Sequence, residues 1–125
     1  VIIINVEGDE WEESIDRSDK LELLSEHPEL TPEVIIDKVK NAGVTGMGGA
    51  GFPTFIKLCP PPTTKAECVI INAVECEPYI TADYRLMMEH PDEILVGLDL
   101  LMKAAKVEKG YIGIDRVVRN NLSML

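Results

Sequence analysis

Residues 46–57 read GMGGAGFPTFIK, which places Gly46, Gly48, Gly49 and Gly51 within six positions and Lys57 six positions after the last of them. Backbone lacking Cβ atoms can approach an anion closely and aim several N–H groups at it, and Lys57 adds a mobile positive charge. Phosphate binding is the chemistry this composition suits. The glycines at 46, 48 and 51 spell G-x-G-x-x-G, yet a dinucleotide fingerprint must follow a strand, and here a helical pattern comes first. A Walker loop needs Gly-Lys-Ser/Thr at its end, where Phe52 and Pro53 stand instead. A short helix started by Pro53 would aim its positive end at the same place. The competing reading of the glycines is a packed or flexible turn.

A second constellation spans Asn72, Glu75, Cys76, Glu77 and Tyr79. Asn72 offers a donor and an acceptor to a ribityl chain or ring edge, while Glu75 and Glu77 can accept from ribose hydroxyls or order a nicotinamide-bearing substrate. Paired carboxylates also serve hydrolytic acid–base catalysis, but no nucleophile or metal constellation accompanies these, so no catalytic side chain and no metal ligand is assigned. Cys76, between two acids, suits lining a ligand better than attacking one. Phe52 and Tyr79 suit stacking on a flat ring and equally suit core packing. The plain alternative for the two glutamates is an exposed turn capping the following helix. His90 reads as a helix-end residue, Met87 and Met88 as core, and Trp11 as an isolated anchor.

These residues need elements to hold them. Residues 1–6 are β-branched and close on Glu7-Gly8-Asp9, a strand ending in a turn, and residues 9–30 read as an acidic connector with partial helix. Thr31-Pro32-Glu33 begins a helix over residues 32–42 with Ile35, Val39 and Ala42 as its buried stripe and Gly43 as its left-handed cap. Residues 68–71 form an apolar run expected as a strand covered on both faces in a parallel sheet, so the polar stretch 72–80 lies at its carboxyl end, where α/β folds place ligands. Thr81 caps a helix through His90, and Pro91 restarts one to Ala105 with Ile94, Leu98, Leu101 and Ala105 inward. Residues 111–114 form a second strand. The fold class is therefore α/β, a layered, Rossmann-like domain with a mostly parallel sheet, expected to be a partial one.

The chain of 125 residues carries a formal charge of −10 and is 46% hydrophobic and 27% charged, a composition for one globular core. Residues 7–33 hold 11 acids against Arg17 and Lys20, so −9 of the charge is local to the connector. Such a field disfavours nucleic acid and suits either a solvated face or a docking face for a basic protein. Cys59, Cys68 and Cys76 form no Cys-x-x-Cys pair, so a zinc or iron–sulfur signature is missing and free thiols in a reducing, cytoplasmic compartment are expected. No apolar run reaches the length of a membrane span, no secretory leader is legible, and a start on Val1 suits an internal piece of a longer protein.

Taken together, residues 43–54, then Lys57-Leu58, Ile71-Asn72-Ala73 and residues 75–83 resemble the C subunits of Rnf electron transport complexes, and more distantly the flavin-binding, NADH-oxidising subunit of respiratory complex I. The resemblance covers roughly residues 34–114. It implies FMN held by Gly46, Met47, Gly48 and Lys57 with Asn72, Glu75 and Cys76 beside it, and NADH or NAD⁺ facing Phe52 and Glu77. It also implies 4Fe-4S clusters elsewhere in the full-length protein, other Rnf subunits and ferredoxin or a similar redox protein as partners, and a peripheral place on the cytoplasmic side of the bacterial membrane. Residues 1–30 would end a preceding β-domain and its connector, and 31–125 would begin the FMN/NADH domain. Met47 stands where complex I relatives have arginine and Val74 where they have aspartate, so the Rnf pattern is the one followed. The tail departs after Ile114, where Asp115 to Arg119 replace the family's continuation. A rival function is a non-catalytic nucleotide-binding adaptor that keeps the loop; a third is a sensor for another phosphorylated ligand.

Overall fold

A computed structural model describes residues 2–8, 10, 13–15, 18 and 20–115. Trp11 and residues 116–119 of the divergent tail lie outside the described residues. The elements in order are a 3-10 turn at Leu24–Glu26, α1 (Pro32–Asn41), α2 (Thr54–Lys57), β1 (Val69–Ala73), α3 (Ala82–Glu89), α4 (Pro91–Ala105) and β2 (Gly110–Ile114).

The helix start at Thr31 forms as its chemistry dictates. Thr31 is extended, its side-chain oxygen accepts from the Val34 amide at 3.4 Å, and Pro32 occupies the first turn. At the far end Gly43 takes φ +65°, the left-handed conformation that a Cβ would strain. Ile35 is buried and Val39 partly so, but Ala42 is exposed and Ile36 packs inward in its place. The stripe bends toward Ile36 because Leu58, Leu100, Leu101 and Ala104 meet α1 on that side.

β1 and β2 pair in parallel with Val69 opposite Gly110 and Ala73 opposite Ile114, and α3 and α4 make the crossover. The domain is a small α/β unit. Two expectations need correction here. Asn72 is not past the strand but inside it, opposite Gly113. Nor is the strand covered on both faces: Ile71 and Ala73 face Met87, Ile94, Ile112 and Ile114, whereas Ile70 and Tyr111 across the same register are 68% and 54% exposed. An uninterrupted apolar run cannot reveal which face lacks cover.

α4 is the spine. Near its amino end Ile94 packs with the sheet and α3, and toward its carboxyl end Leu100, Leu101 and Ala104 pack with α1 and Leu58. Ala104, at 3% exposure, is buried where Ala105 was expected. Gly110 lets β2 enter under the helix, since a Cβ there would stand 2.6 Å from Met102 Sδ and 2.9 Å from Leu98 Cδ1. Lys106 ends α4 with φ +58°, and its ammonium reaches Glu33 Oε1 at 2.8 Å, holding that carboxyl below the usual carboxylate range.

The expected strand over residues 1–6 is absent from 2–6, whose isoleucines are 79–90% exposed; β-branched residues make a strand only where a partner completes the ladder. Among the described residues of the connector, the expected partial helix is limited to the 3-10 turn at Leu24–Glu26. Its anchor is His27, whose Nε2 lies 2.6 Å from Glu22 Oε2 and whose Nδ1 lies 2.8 Å from Glu29 Oε1. Among the described residues no helix is long and apolar enough to cross a membrane.

Candidate functional site

The glycine segment is a closed loop rather than a free one. Thr45 and Pro53 form an antiparallel bridge, the Gly46 amide donates to the Phe52 carbonyl at 2.8 Å, and the Thr54 amide donates to Val44 at 3.0 Å. Beyond this neck the chain reverses, with Gly49 at φ +97° and Gly51 at φ +60°. Those two glycines are required by backbone conformation, although neither stood among the expected ligand contacts; the Gly-Ala-Gly spelling was their signal. Among the described residues the amides of residues 47–50 make no backbone hydrogen bond, and Met47 at the tip is 98% exposed.

Gly46 and Gly48 are glycine for other reasons, since neither adopts a left-handed φ. A Cβ on Gly46 would stand 2.7 Å from the Lys57 ammonium nitrogen. A Cβ on Gly48 would meet nothing within 4 Å. Nothing among the described residues therefore requires glycine at 48, and the open space beside it is what an approaching ligand would use. The Gly46 amide, already bonded to Phe52, holds the neck closed and offers no donor to a ligand.

Lys57 is the last residue of α2, and Pro53 is that helix's N-cap rather than its first residue. With only four residues, α2 has no useful dipole of its own, so the positive charge here is that of Lys57. Its ammonium lies 5.9 Å from the centroid of the Phe52 ring. Leu58, next in sequence, is buried against Ile35 and Ala104 and so ties α2 to the core.

A second group surrounds the end of β1. Asn72 Oδ1 accepts from the Val74 amide at 3.3 Å, a local turn that ends the strand. The Cys76 thiol lies 4.0 Å from the Val74 carbonyl and is exposed. Glu75 Oε1 accepts from the Tyr84 amide at 3.0 Å, in the first turn of α3. The expected cap, Thr81, makes no side-chain cap bond. Glu75 thus does what the plain alternative foresaw, from nine positions upstream. Glu77 is exposed, its carbonyl accepting from the Ile80 amide at 3.3 Å, and between them Tyr79 sits at φ +66° and fully exposed. A bulky side chain in that region costs about 1 kcal/mol or more. His90 joins α3 to α4 and pairs with Glu93 at 2.8 Å, as a helix-end residue does. Met87 is buried.

Gly46, Phe52 and Lys57 are therefore in mutual contact, and Asn72, near the end of β1, is followed directly by the loop that carries Glu75 and Cys76. None of these hydrogen bonds runs between the two groups; α4 connects them by packing on α1 and on the sheet. A cleft of about 510 Å³ between the connector, α1 and α4 is lined by Leu30, Ile35, Val96 and Leu100 with Glu22 and His27 at its rim, and shares no wall with either group.

Fold and loop define a class: an α/β domain whose glycine-rich loop follows a helix and stands apart from both nucleotide fingerprints. The chain belongs to the Nuo51 FMN-binding domain family, whose sequence model matches residues 39–125. It is 43% identical over 115 residues to the C subunit of the proton-translocating ferredoxin:NAD(+) oxidoreductase complex of Clostridium ljungdahlii, covering 91% of this chain and 24% of that protein. It is 47% identical over 87 residues to the C subunit of the Na(+)-translocating ferredoxin:NAD(+) oxidoreductase complex of Acetobacterium woodii, covering 70% of this chain and 20% of the relative. The C subunit of an ion-translocating oxidoreductase complex from Vibrio cholerae is 46% identical over 87 residues, with 70% of this chain and 11% of the relative covered. The resemblance to the C subunits holds, and the chain spans about a quarter or less of the length of these relatives.

Proposed function

We propose that this chain forms one wall of an FMN site in the C subunit of an Rnf-type, ion-translocating, NADH-linked oxidoreductase. The observation that carries the reading is the loop tip, where Gly48 faces open space without needing a left-handed φ and Lys57 waits below the neck. The matched family and the names of the C-subunit relatives support it.

The residues present fit the group. Amides of residues 47–50 and the Lys57 ammonium suit a phosphate, which a hard, exposed, cationic loop attracts and an apolar cleft such as that beside Leu100 does not. Asn72, at the carboxyl end of β1, presents an amide to the ribityl chain or ring edge. Cys76 lies in the loop that follows β1, and Glu75 holds that loop to α3 while keeping its second oxygen for a hydroxyl. Phe52 and Glu77 face the nicotinamide nucleotide. The chemistry FMN supplies when bound is two-electron exchange with NADH and one-electron exchange with iron–sulfur clusters. No side chain here needs to act as acid or base. The 4Fe-4S clusters belong to the full-length subunit, whose partners at the cytoplasmic face of the membrane are the other Rnf subunits and ferredoxin or a similar carrier. Residues 1–30 serve as the connector from a preceding domain, and residues 31–125 as the start of the flavin domain.

Measuring flavin and iron in the purified full-length protein tests this. Stoichiometric FMN in the wild type and its loss in Lys57→Ala are expected. Neither flavin nor iron would favour the adaptor reading, and tight, stoichiometric FMN binding by the 125-residue chain alone would refute the claim that it is a single wall.

A further inference from the structure

A lysine head on a flexible four-carbon stem is a poor fixed charge unless something holds it. The usual holder is a carboxylate, but a carboxylate neutralises the charge and competes with an anionic ligand. Among the described residues no carboxylate pairs with Lys57. What lies beside it is an aromatic face, the Phe52 ring at 5.9 Å, and a missing Cβ, that of Gly46 at 2.7 Å from the ammonium nitrogen. The backbone of Phe52 is held in place, because its carbonyl accepts from the Gly46 amide at 2.8 Å. Its ring is 47% exposed, so it is not there to fill the core. Neck, ring and ammonium form one assembly in which each part sets the next.

We infer that Phe52 is a positioning residue for Lys57: its ring holds the ammonium under Gly46 without neutralising it, and so keeps a full positive charge aimed at a phosphate. This rests on the flavin reading of the loop and gives Phe52 a role distinct from facing the nicotinamide nucleotide. Gly46 belongs to the same device, since an added methyl there would occupy the ammonium's place.

The test uses the full-length protein stripped of flavin, titrated with FMN and separately with riboflavin, which lacks the phosphate. Lys57→Ala should weaken FMN by about tenfold or more and leave riboflavin unchanged. Phe52→Leu should weaken FMN by about two- to fivefold, the range of an exposed cation–π contact, and Phe52→Trp should restore it. In the Lys57→Ala background, Phe52→Leu should add nothing further. Gly46→Ala should mimic Phe52→Leu. If Phe52→Leu weakens FMN equally with and without Lys57, or weakens riboflavin as much as FMN, the positioning role is wrong while the flavin site stands. If it changes only the KM for NADH, Phe52 is a nicotinamide contact alone. If Lys57→Ala leaves FMN binding intact, both the positioning role and the phosphate reading of the loop fall. Phe52→Tyr, which preserves bulk and ring, guards against a folding defect and should keep the wild-type affinity for FMN.

Discussion

Replacing Glu75 by alanine should destabilise the chain even with no flavin present. In the structure Glu75 Oε1 accepts from the Tyr84 amide, the third residue of α3, at 3.0 Å, while Thr81 at the cap position makes no side-chain bond. A lost cap of this kind costs about 1 kcal/mol, and a half-buried carboxylate at a helix amino terminus adds roughly 0.3–1 kcal/mol through the helix dipole. The expected loss is therefore about 1–2 kcal/mol, or a melting temperature lower by roughly 4–8 °C for a chain of this size. Glu75→Gln keeps an acceptor and loses the charge, so about half the loss should return. Thr81→Ala should change stability by less than about 0.5 kcal/mol, because it removes no bond. Thermal and urea unfolding followed by circular dichroism on flavin-free protein reads all three. A ligand contact with no structural duty would leave flavin-free Glu75→Ala melting with the wild type. That outcome, or a loss that falls on Thr81→Ala instead, would refute the reasoning.

Gly110→Ala should cost about 1–3 kcal/mol by overpacking, since the new methyl would press on Met102 and Leu98 beneath α4; urea unfolding measures it. Lys106→Gly should gain about 0.5–1 kcal/mol in the same assay, because φ +58° suits glycine and the Glu33 pair it loses is two-thirds exposed on both sides and contributes little. His27 should titrate above its ordinary 6.5, raised first by its bond to Glu29 and then by Glu22, while Glu22 is lowered first by its bond to Lys20 and then by His27, and Glu29 first by its own backbone amide and then by His27. A raised histidine stabilises fully below 6.5 and loses that contribution as pH rises through the folded value; the lowered glutamates contribute above about 4.5 and lose it as pH falls through theirs. The clasp on the connector is thus tightest between the two, and salt should loosen it; an NMR midpoint for the His27 ring at or below 6.5 would contradict this.

What could be read from the sequence follows the range of each interaction. The cap at Thr31, the left-handed Gly43 and the restart at Pro91 depend on neighbours one turn away, and they form as read. The strands expected at 68–71 and 111–114 and the parallel character of the sheet were legible because an apolar run between two helical segments has few other places to go, whereas their pairing and register come from the structure. The missing cap bond at Thr81 was not, since its replacement comes from Glu75 across a loop. Nor was the bare face of β1: Ile70 and Ile71 are the same residue type on opposite sides of the sheet, and only the placement of α3 and α4 distinguishes them. The loop's motif announced its glycines together, but their separate reasons, backbone at 49 and 51, the ammonium at 46 and open space at 48, arise from the folded loop and not from its spelling.

The two halves of the candidate site share a construction principle. Lys57 precedes Leu58, which is buried with Ile35 and Ala104, and Asn72 precedes Ala73, which is buried with Met87 and packed by Ile112 and Ile114. Each polar residue is thus next in sequence to an anchored apolar one, so its backbone is fixed while its side chain remains at the surface. Both anchors refer back to α4, through Ala104 at one end and Ile94 at the other. A single rigid helix therefore sets the separation of the ammonium and the strand end, a quantity that neither loop could hold alone. The remaining large side chains outside these clusters, Ile70 and Tyr111 among them, leave a two-stranded sheet covered on one side, an arrangement that is marginal without further packing. It follows that precision at this site is set where α4 meets α1 and β1, and that substitutions at those contacts should disturb the site before substitutions at its exposed rim do.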